Sequence, residues 1–235
     1  NASIQFLRQL STVLNCSLAE MTGDETASSP DWLMIREILR GRTDSELARA
    51  RAVLGELFDS ATSENSRRKR VALIGLRGAG NSSLGKQLAH KLNVPFIELS
   101  AQIETLAGCS IAEIHALYGQ TAYRRYEQRA LETAIAQHTQ AVIATPGGMV
   151  SEPATFNFLL SHCYTVWLKA SPEEHMARVL AQGDKRPMSG NREAMDDLKR
   201  ILESRTQFYS KADKVVDTTG LSEQQTFSRL VDQVQ

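Results

Sequence analysis

Apolar positions along the chain follow two rhythms. Up to Phe58 they recur at helical spacing: Ile4, Leu7, Leu10 and Leu14 behind a capping Ser3, then Trp32, Ile35, Ile38 and Leu39 behind Pro30. A third set, Leu47, Val53, Leu54, Leu57 and Phe58, follows Thr43, whose distance from Glu46 is that of a capping box. The stretch 22-TGDETASSP-30 is small, polar and acidic, the composition of a linker. Another polar stretch, 59-DSATSENSRRKR-70, ends in a run of basic residues and reads as a solvated linker edge. From Val71 the rhythm changes to short apolar runs, at 71–74, 94–97, 141–145, 164–168 and 214–216, separated by longer helical patterns. Strands buried on both faces read as continuous apolar runs, so this alternation predicts an α/β fold: a five-stranded parallel sheet with helices on both faces, preceded by an all-α segment and a helical linker.

Composition narrows the class without changing it. Of 235 residues 42% are hydrophobic and 23% charged, as in an ordinary globular protein, and no apolar run reaches the ~18 residues of a membrane span. Lys and Arg total 27, Asp and Glu 27, so the chain as a whole lacks the basic excess of a nucleic-acid-binding domain. Cys16, Cys109 and Cys163 are widely spaced, which suits reduced thiols and a cytoplasmic protein. His90, His115, His138, His162 and His175 lack metal-ligand spacing, so structural or solvent roles and no metal site are expected.

The chemistry concentrates in 75-GLRGAGNSSLG-85. Gly75 and Gly80 carry the spacing of a phosphate-binding P-loop, directly after a predicted strand and before a helical pattern. Such glycines let the N–H groups around Arg77, Gly78, Ala79 and Gly80 converge on phosphate oxygens, and a helix N-terminus favours the anion. In a phosphoryl-transfer enzyme the next residue is Lys and the one after is a magnesium-holding Ser or Thr. Here they are Asn81 and Ser82, with Ser83 following. Loss of the lysine charge costs several kcal/mol of transition-state electrostatics, on the order of removing one main stabiliser. Lys86 lies too far along the helix to replace it.

From about residue 70 to the end the sequence resembles the shikimate kinases. The resemblance is carried by the P-loop, 94-VPFIEL-99, 110-SIAEIHALYGQTAYRRYEQRALE-132, 143-IATPGGMV-150, Arg186-Pro187 and 201-ILESRTQFYSKADKVVDTTG-220. It implies that Arg124 and Arg205 bind a substrate anion, that Arg186 is a lid arginine near nucleotide phosphates, and that Gly147 and Gly148 form a substrate-facing turn. It also exposes departures: Glu98 and Ser100 replace an Asp-x-Asp pair, and Pro146 replaces the first of three glycines. With Asn81, these changes gather at the expected catalytic centre, so a pocket that binds phosphates without transferring them is expected, with no catalytic residue.

Residues 1–25 resemble the last two helices of a lambda-repressor-like helix-turn-helix domain. Together, the segments resemble the BzdR/BoxR-type regulators, which implies 1–23 as the remnant of a DNA-binding domain, 24–66 as a helical linker and 67–235 as a shikimate kinase-like effector domain. The expected function is then a homodimeric transcriptional repressor of benzoate-degradation genes. It would need no cofactor, and its effector would be benzoyl-CoA or a related aromatic acyl-CoA held by the P-loop and arginines. DNA would be contacted upstream of Asn1. The alternative is an active shikimate kinase-like small-molecule kinase.

Overall fold

All five apolar runs become strands in the computed structural model, which describes residues 30–57, 60–181 and 192–234. They fall into two units, divided after residue 58. The first contains α1 (Pro30–Leu39) and α2 (Asp44–Leu57). The capping box forms: the Thr43 N–H donates to Glu46 Oε2 at 2.9 Å, and the Glu46 N–H donates back to Thr43 Oγ1 at 3.4 Å. The expected helix-turn-helix remnant, residues 1–23, lies outside the described residues.

The second unit opens with α3 (Ser60–Arg68) and continues through β1 (Arg70–Ile74), α4 (Asn81–Leu92), β2 (Phe96–Glu98), α5 (Leu99–Ala107) and α6 (Ile111–Gln137). Then come β3 (Ala141–Ala144), α7 (Pro153–His162), β4 (Tyr164–Lys169), α8 (Pro172–Ala181), α9 (Arg192–Tyr209), β5 (Lys214–Asp217) and α10 (Glu223–Val234). The sheet runs β2-β3-β1-β4-β5, every pair parallel. The central strands are apolar because both faces are covered. One face packs Ile74, Ile103, Leu131, Ile143 and Trp167, and the other packs Leu73, Leu88, Val142, Val166 and Leu230. At Gly85 an added Cβ would lie 2.7 Å from the Phe96 ring, so α4 sits directly on the sheet edge.

One expectation holds only in part. In the basic run at 67–70, Arg68 and Lys69 are exposed as expected of a solvated edge, but Arg67 and Arg70 are staples. Arg67 donates to both carboxylate oxygens of Asp213 at 2.9 and 3.0 Å and to the carbonyls of Leu160 and Cys163. Arg70 donates to the His162 and Thr139 carbonyls, and the Arg68 guanidinium lies 5.1 Å from the Tyr164 ring centroid. These arginines satisfy carbonyls at the N-terminal edge of the sheet, which would otherwise lose their hydrogen bonds on burial. Among the described residues no helix is long and apolar enough to cross a membrane.

Candidate functional site

The loop between β1 and α4 has the backbone a phosphate cradle needs. Gly78 and Gly80 adopt φ of 80° and 99°, which L side chains rarely tolerate. Gly75 is required for space: a Cβ there would lie 2.8 Å from the Leu168 carbonyl oxygen and from Ala79 Cβ. The Ala79 N–H closes the turn on the Leu76 carbonyl at 3.0 Å. α4 then starts at Asn81, so its first-turn N–H groups, which no helical carbonyl can reach, face the loop. Ser82 and Ser83 are exposed on this turn, and Ser83 Oγ donates to the Gly80 carbonyl at 3.3 Å. The Arg77 side chain is exposed.

Asn81 reaches back across the loop. Its Nδ2 donates to the Thr145 carbonyl at 3.2 Å, which fixes the amide orientation, and its buried Oδ1 has no hydrogen-bond partner among the described residues. Thr145 is tied to β1 through its N–H and Oγ1, both donating to the Leu73 carbonyl. Lys86 is exposed and lies 5.8 Å from the Phe96 ring centroid.

The turn after β3 brings the second half of the site against this loop. A Cβ on Gly147 would lie 3.0 Å from the Arg77 nitrogen and the Gly75 carbonyl oxygen, and one on Gly148 would lie 3.2 Å from Arg124 Nη2. Gly147 thus has no free room for a Cβ against the backbone of the phosphate loop, and Gly148 lies directly against the Arg124 guanidinium. Neither glycine has positive φ, nor does Pro146 before them, whose carbonyl accepts from the Met149 N–H at 3.1 Å. Arg205, from α9, donates to the Gly147 carbonyl at 3.2 Å and to Ser151 Oγ at 3.1 Å.

Arg124 is held rigidly. Its Nη1 donates to Glu127 Oε2 at 2.6 Å, and Gln120, with its amide oxygen turned to the guanidinium, accepts from Nη2 and Nε at 3.1 Å each. Glu127 is fully buried and also accepts from Tyr123 Oη at 3.2 Å. Burial pushes the Glu127 carboxyl up, while the Arg124 and Tyr123 donors pull it back part of the way. Burial likewise raises the Tyr123 hydroxyl. Tyr209 donates to the Gly147 carbonyl at 2.8 Å, stacks on Trp167, and is pushed up to about 12 by burial. An open cavity of about 470 Å³ lies beside these groups, lined by Gln120, Thr121, Arg124, Gln128, Ser151 and Glu152 among others.

The structure therefore brings Gly75–Ser83, Gly147, Gly148, Arg124 and Arg205 into one region, and Arg186 lies outside the described residues. Glu98 closes β2 and precedes α5, with Ser100 inside that helix. Sequence reasoning missed Gln120, Glu127, Ser151 and Tyr209. The spacing of Glu127 three residues after Arg124, and of Tyr209 four after Arg205, was the available signal.

Comparison with known proteins adds a consistent result. A family model described as shikimate kinase matches residues 77–235. A shikimate kinase of Synechococcus sp. (strain JA-3-3Ab) is 37% identical over 150 residues, covering 64% of this chain and 78% of that protein. A second, from Synechococcus sp. (strain CC9605), is 34% identical over 148 residues, covering 63% and 73%. The crystal structure of shikimate kinase from Bacteroides thetaiotaomicron superposes with a TM-score of 0.63 at 30% identity, covering 69% of this chain and 96% of that one.

These findings overturn the expectation of a BzdR/BoxR-type repressor with DNA and benzoyl-CoA as partners, and of a pocket without catalysis. The physical reason is that a P-loop with nearby arginines recognises a nucleotide pyrophosphate, which ATP and coenzyme A share, so phosphate chemistry did not discriminate between them. Substitution at Asn81, Ser100 and Pro146 changes side chains, yet the glycine cradle and the turn packed against it are intact.

Proposed function

The chain belongs to the shikimate kinase family, and from that premise we propose that it transfers the terminal phosphoryl group of ATP to a hydroxyl of shikimate. The observation that carries this reading is the Gly147–Gly148 turn, which abuts the phosphate loop on one side and Arg124 on the other. A phosphoryl donor in the loop and an anionic acceptor on the arginines then meet across two residues, the proximity a bimolecular transfer requires.

In this reading the backbone from Gly75 to Ser83, with Arg77, takes the donor phosphates. Arg124 and Arg205 take the acceptor carboxylate, and Gly147 and Gly148 keep the two close. Arg186 is assigned the lid-side phosphate contact on the family resemblance alone. Asn81 carries no charge and its Nδ2 is held on the Thr145 carbonyl, so in this reading the transition state relies on backbone N–H groups, the α4 N-terminus and Arg77.

The family uses magnesium with ATP. The donor set fits it: an exposed Ser82 hydroxyl on the first turn of α4 and the Glu98 carboxylate at the end of β2. Magnesium keeps water and phosphate oxygens for most positions and needs only one or two protein oxygens. When bound it neutralises charge on the phosphate oxygens. The reading places the catalytic domain at 67–235, with 24–66 as its helical lead-in, and the protein in the cytoplasm. A coupled assay of ADP release with ATP, magnesium and shikimate tests it. Shikimate-dependent turnover roughly 10²-fold below the about 1–100 per second of an ordinary kinase is expected, because Asn81 lacks the lysine charge, and the absence of any shikimate-dependent turnover in a folded protein that binds both substrates overturns the reading.

A further inference from the structure

His175 is almost fully buried, at 1% exposure, one turn into α8. Its Nδ1 lies 3.0 Å from the Arg77 carbonyl oxygen. A carbonyl can only accept, so Nδ1 carries the proton and donates it. The Arg77–Gly78 peptide is trans, and in a planar trans peptide the C=O and the following N–H point in opposite directions. Holding the Arg77 oxygen against α8 therefore turns the Gly78 N–H away from the helix, toward the mouth of the loop.

Two further observations show that the contact is built. Gly78 is pressed onto the same helix: a Cβ there would lie 3.0 Å from the His175 carbonyl oxygen and 3.0 Å from Val179 Cγ2. The helix is itself anchored. Glu174 accepts from the Gly220 N–H at 2.7 Å and from Arg178 Nη2 at 2.7 Å, while Arg178 Nη1 donates to Thr218 Oγ1 at 3.3 Å. The far end of the sheet thus fixes α8, and α8 fixes the loop.

We infer that His175 is a positioning residue for the phosphate loop, setting the orientation of the Arg77–Gly78 peptide so that the Gly78 N–H faces the nucleotide phosphates. The inference rests on the phosphoryl-donor reading above. Without the imidazole donor the peptide is free to turn over, and a carbonyl oxygen then faces an anion in place of an N–H.

Two variants separate the hydrogen bond from packing. His175→Asn places an amide nitrogen where Nδ1 stands, and His175→Leu fills the space with no donor. Calorimetric ADP binding should weaken about tenfold in His175→Leu and stay within about threefold of wild type in His175→Asn. The KM for shikimate should hold within about twofold in both. Equal ADP affinity in His175→Leu and wild type overturns the inference, as does equal loss in both folded variants, which is the signature of packing alone. A wild-type chain that binds ADP without shikimate-dependent turnover sinks the kinase reading, and the variant ratio still decides this one. A wild-type chain that does not bind ADP sinks both.

Discussion

Replacing Asn81 by Lys should accelerate phosphoryl transfer. The side chain leaves the first residue of α4 and reaches the Thr145 carbonyl at 3.2 Å, so it crosses the loop on which the phosphates are proposed to sit. A lysine here extends further and carries a full charge. One unit charge about 4 Å from another is worth roughly 4 kcal/mol at an effective dielectric of about 20. Removing a single preorganised donor costs other enzymes about 2.7–4 kcal/mol. About 3 kcal/mol of transition-state stabilisation corresponds to roughly 10²-fold in kcat. The exchange also loses the bond to Thr145, about 1 kcal/mol of stability, which does not enter the rate. The assay is steady-state kcat for shikimate phosphorylation in wild type, Asn81→Lys and Asn81→Ala. The alanine variant loses the same bond without gaining charge, so it isolates the structural cost. If Asn81→Lys binds ADP and melts no lower than Asn81→Ala yet is no faster than wild type, the Asn81 position does not face the transferring group and the reasoning fails.

Glu127→Ala should destabilise the fold by about 3 kcal/mol, because it leaves the mostly buried Arg124 without its ion-pair partner, and urea unfolding measures this; a loss under about 1 kcal/mol counts against the pairing. Arg205→Ala should raise the shikimate KM by about tenfold or more with a smaller change in kcat, since it removes a charge assigned to the acceptor, and equal kinetics would remove Arg205 from the site. Arg67→Ala should cost about 3 kcal/mol, as it strips the hydrogen bonds of a largely buried guanidinium joined to Asp213, and thermal melting checks it. Burial lowers the His175 pKa from the ordinary 6.5, so the unfolded chain takes up a proton before the folded one does. The stability this contributes is complete above about pH 6.5 and is lost as pH falls through the lowered value. The stability gap between wild type and His175→Leu should therefore shrink between pH 7 and 5, and a gap constant over that window refutes the assignment.

What could be read ahead of the structure was what is local in sequence. Strands buried on both faces are continuous apolar runs, so β1, β3 and β4 were found nearly to the residue, and the Thr43 and P-loop patterns state their own backbone geometry. The basic run at 67–70 misled at Arg67 and Arg70 because a charge run looks the same whether water or protein surrounds it. The partner that makes Arg67 structural, Asp213, is 146 residues away. Ser151 and Tyr209 were hidden for the same reason: they meet Arg205 and the Gly147 carbonyl only through contacts 54 and 62 residues apart.

The functional misreading had a different cause. Asn81, Ser100 and Pro146 were correctly seen as departures from a pattern, but each was weighed as a lost side chain. The work of a P-loop is shared with its backbone, and that part depends on Gly75, Gly78, Gly80 and Gly147 being free of a Cβ, a condition the chain meets at every one of them. Lysine adds a charge to a cradle that glycines, a helix N-terminus and a buried histidine have already shaped. A substitution at the charged position therefore predicts a change in rate before it predicts a change in what the protein does, and the Asn81→Lys measurement distinguishes the two.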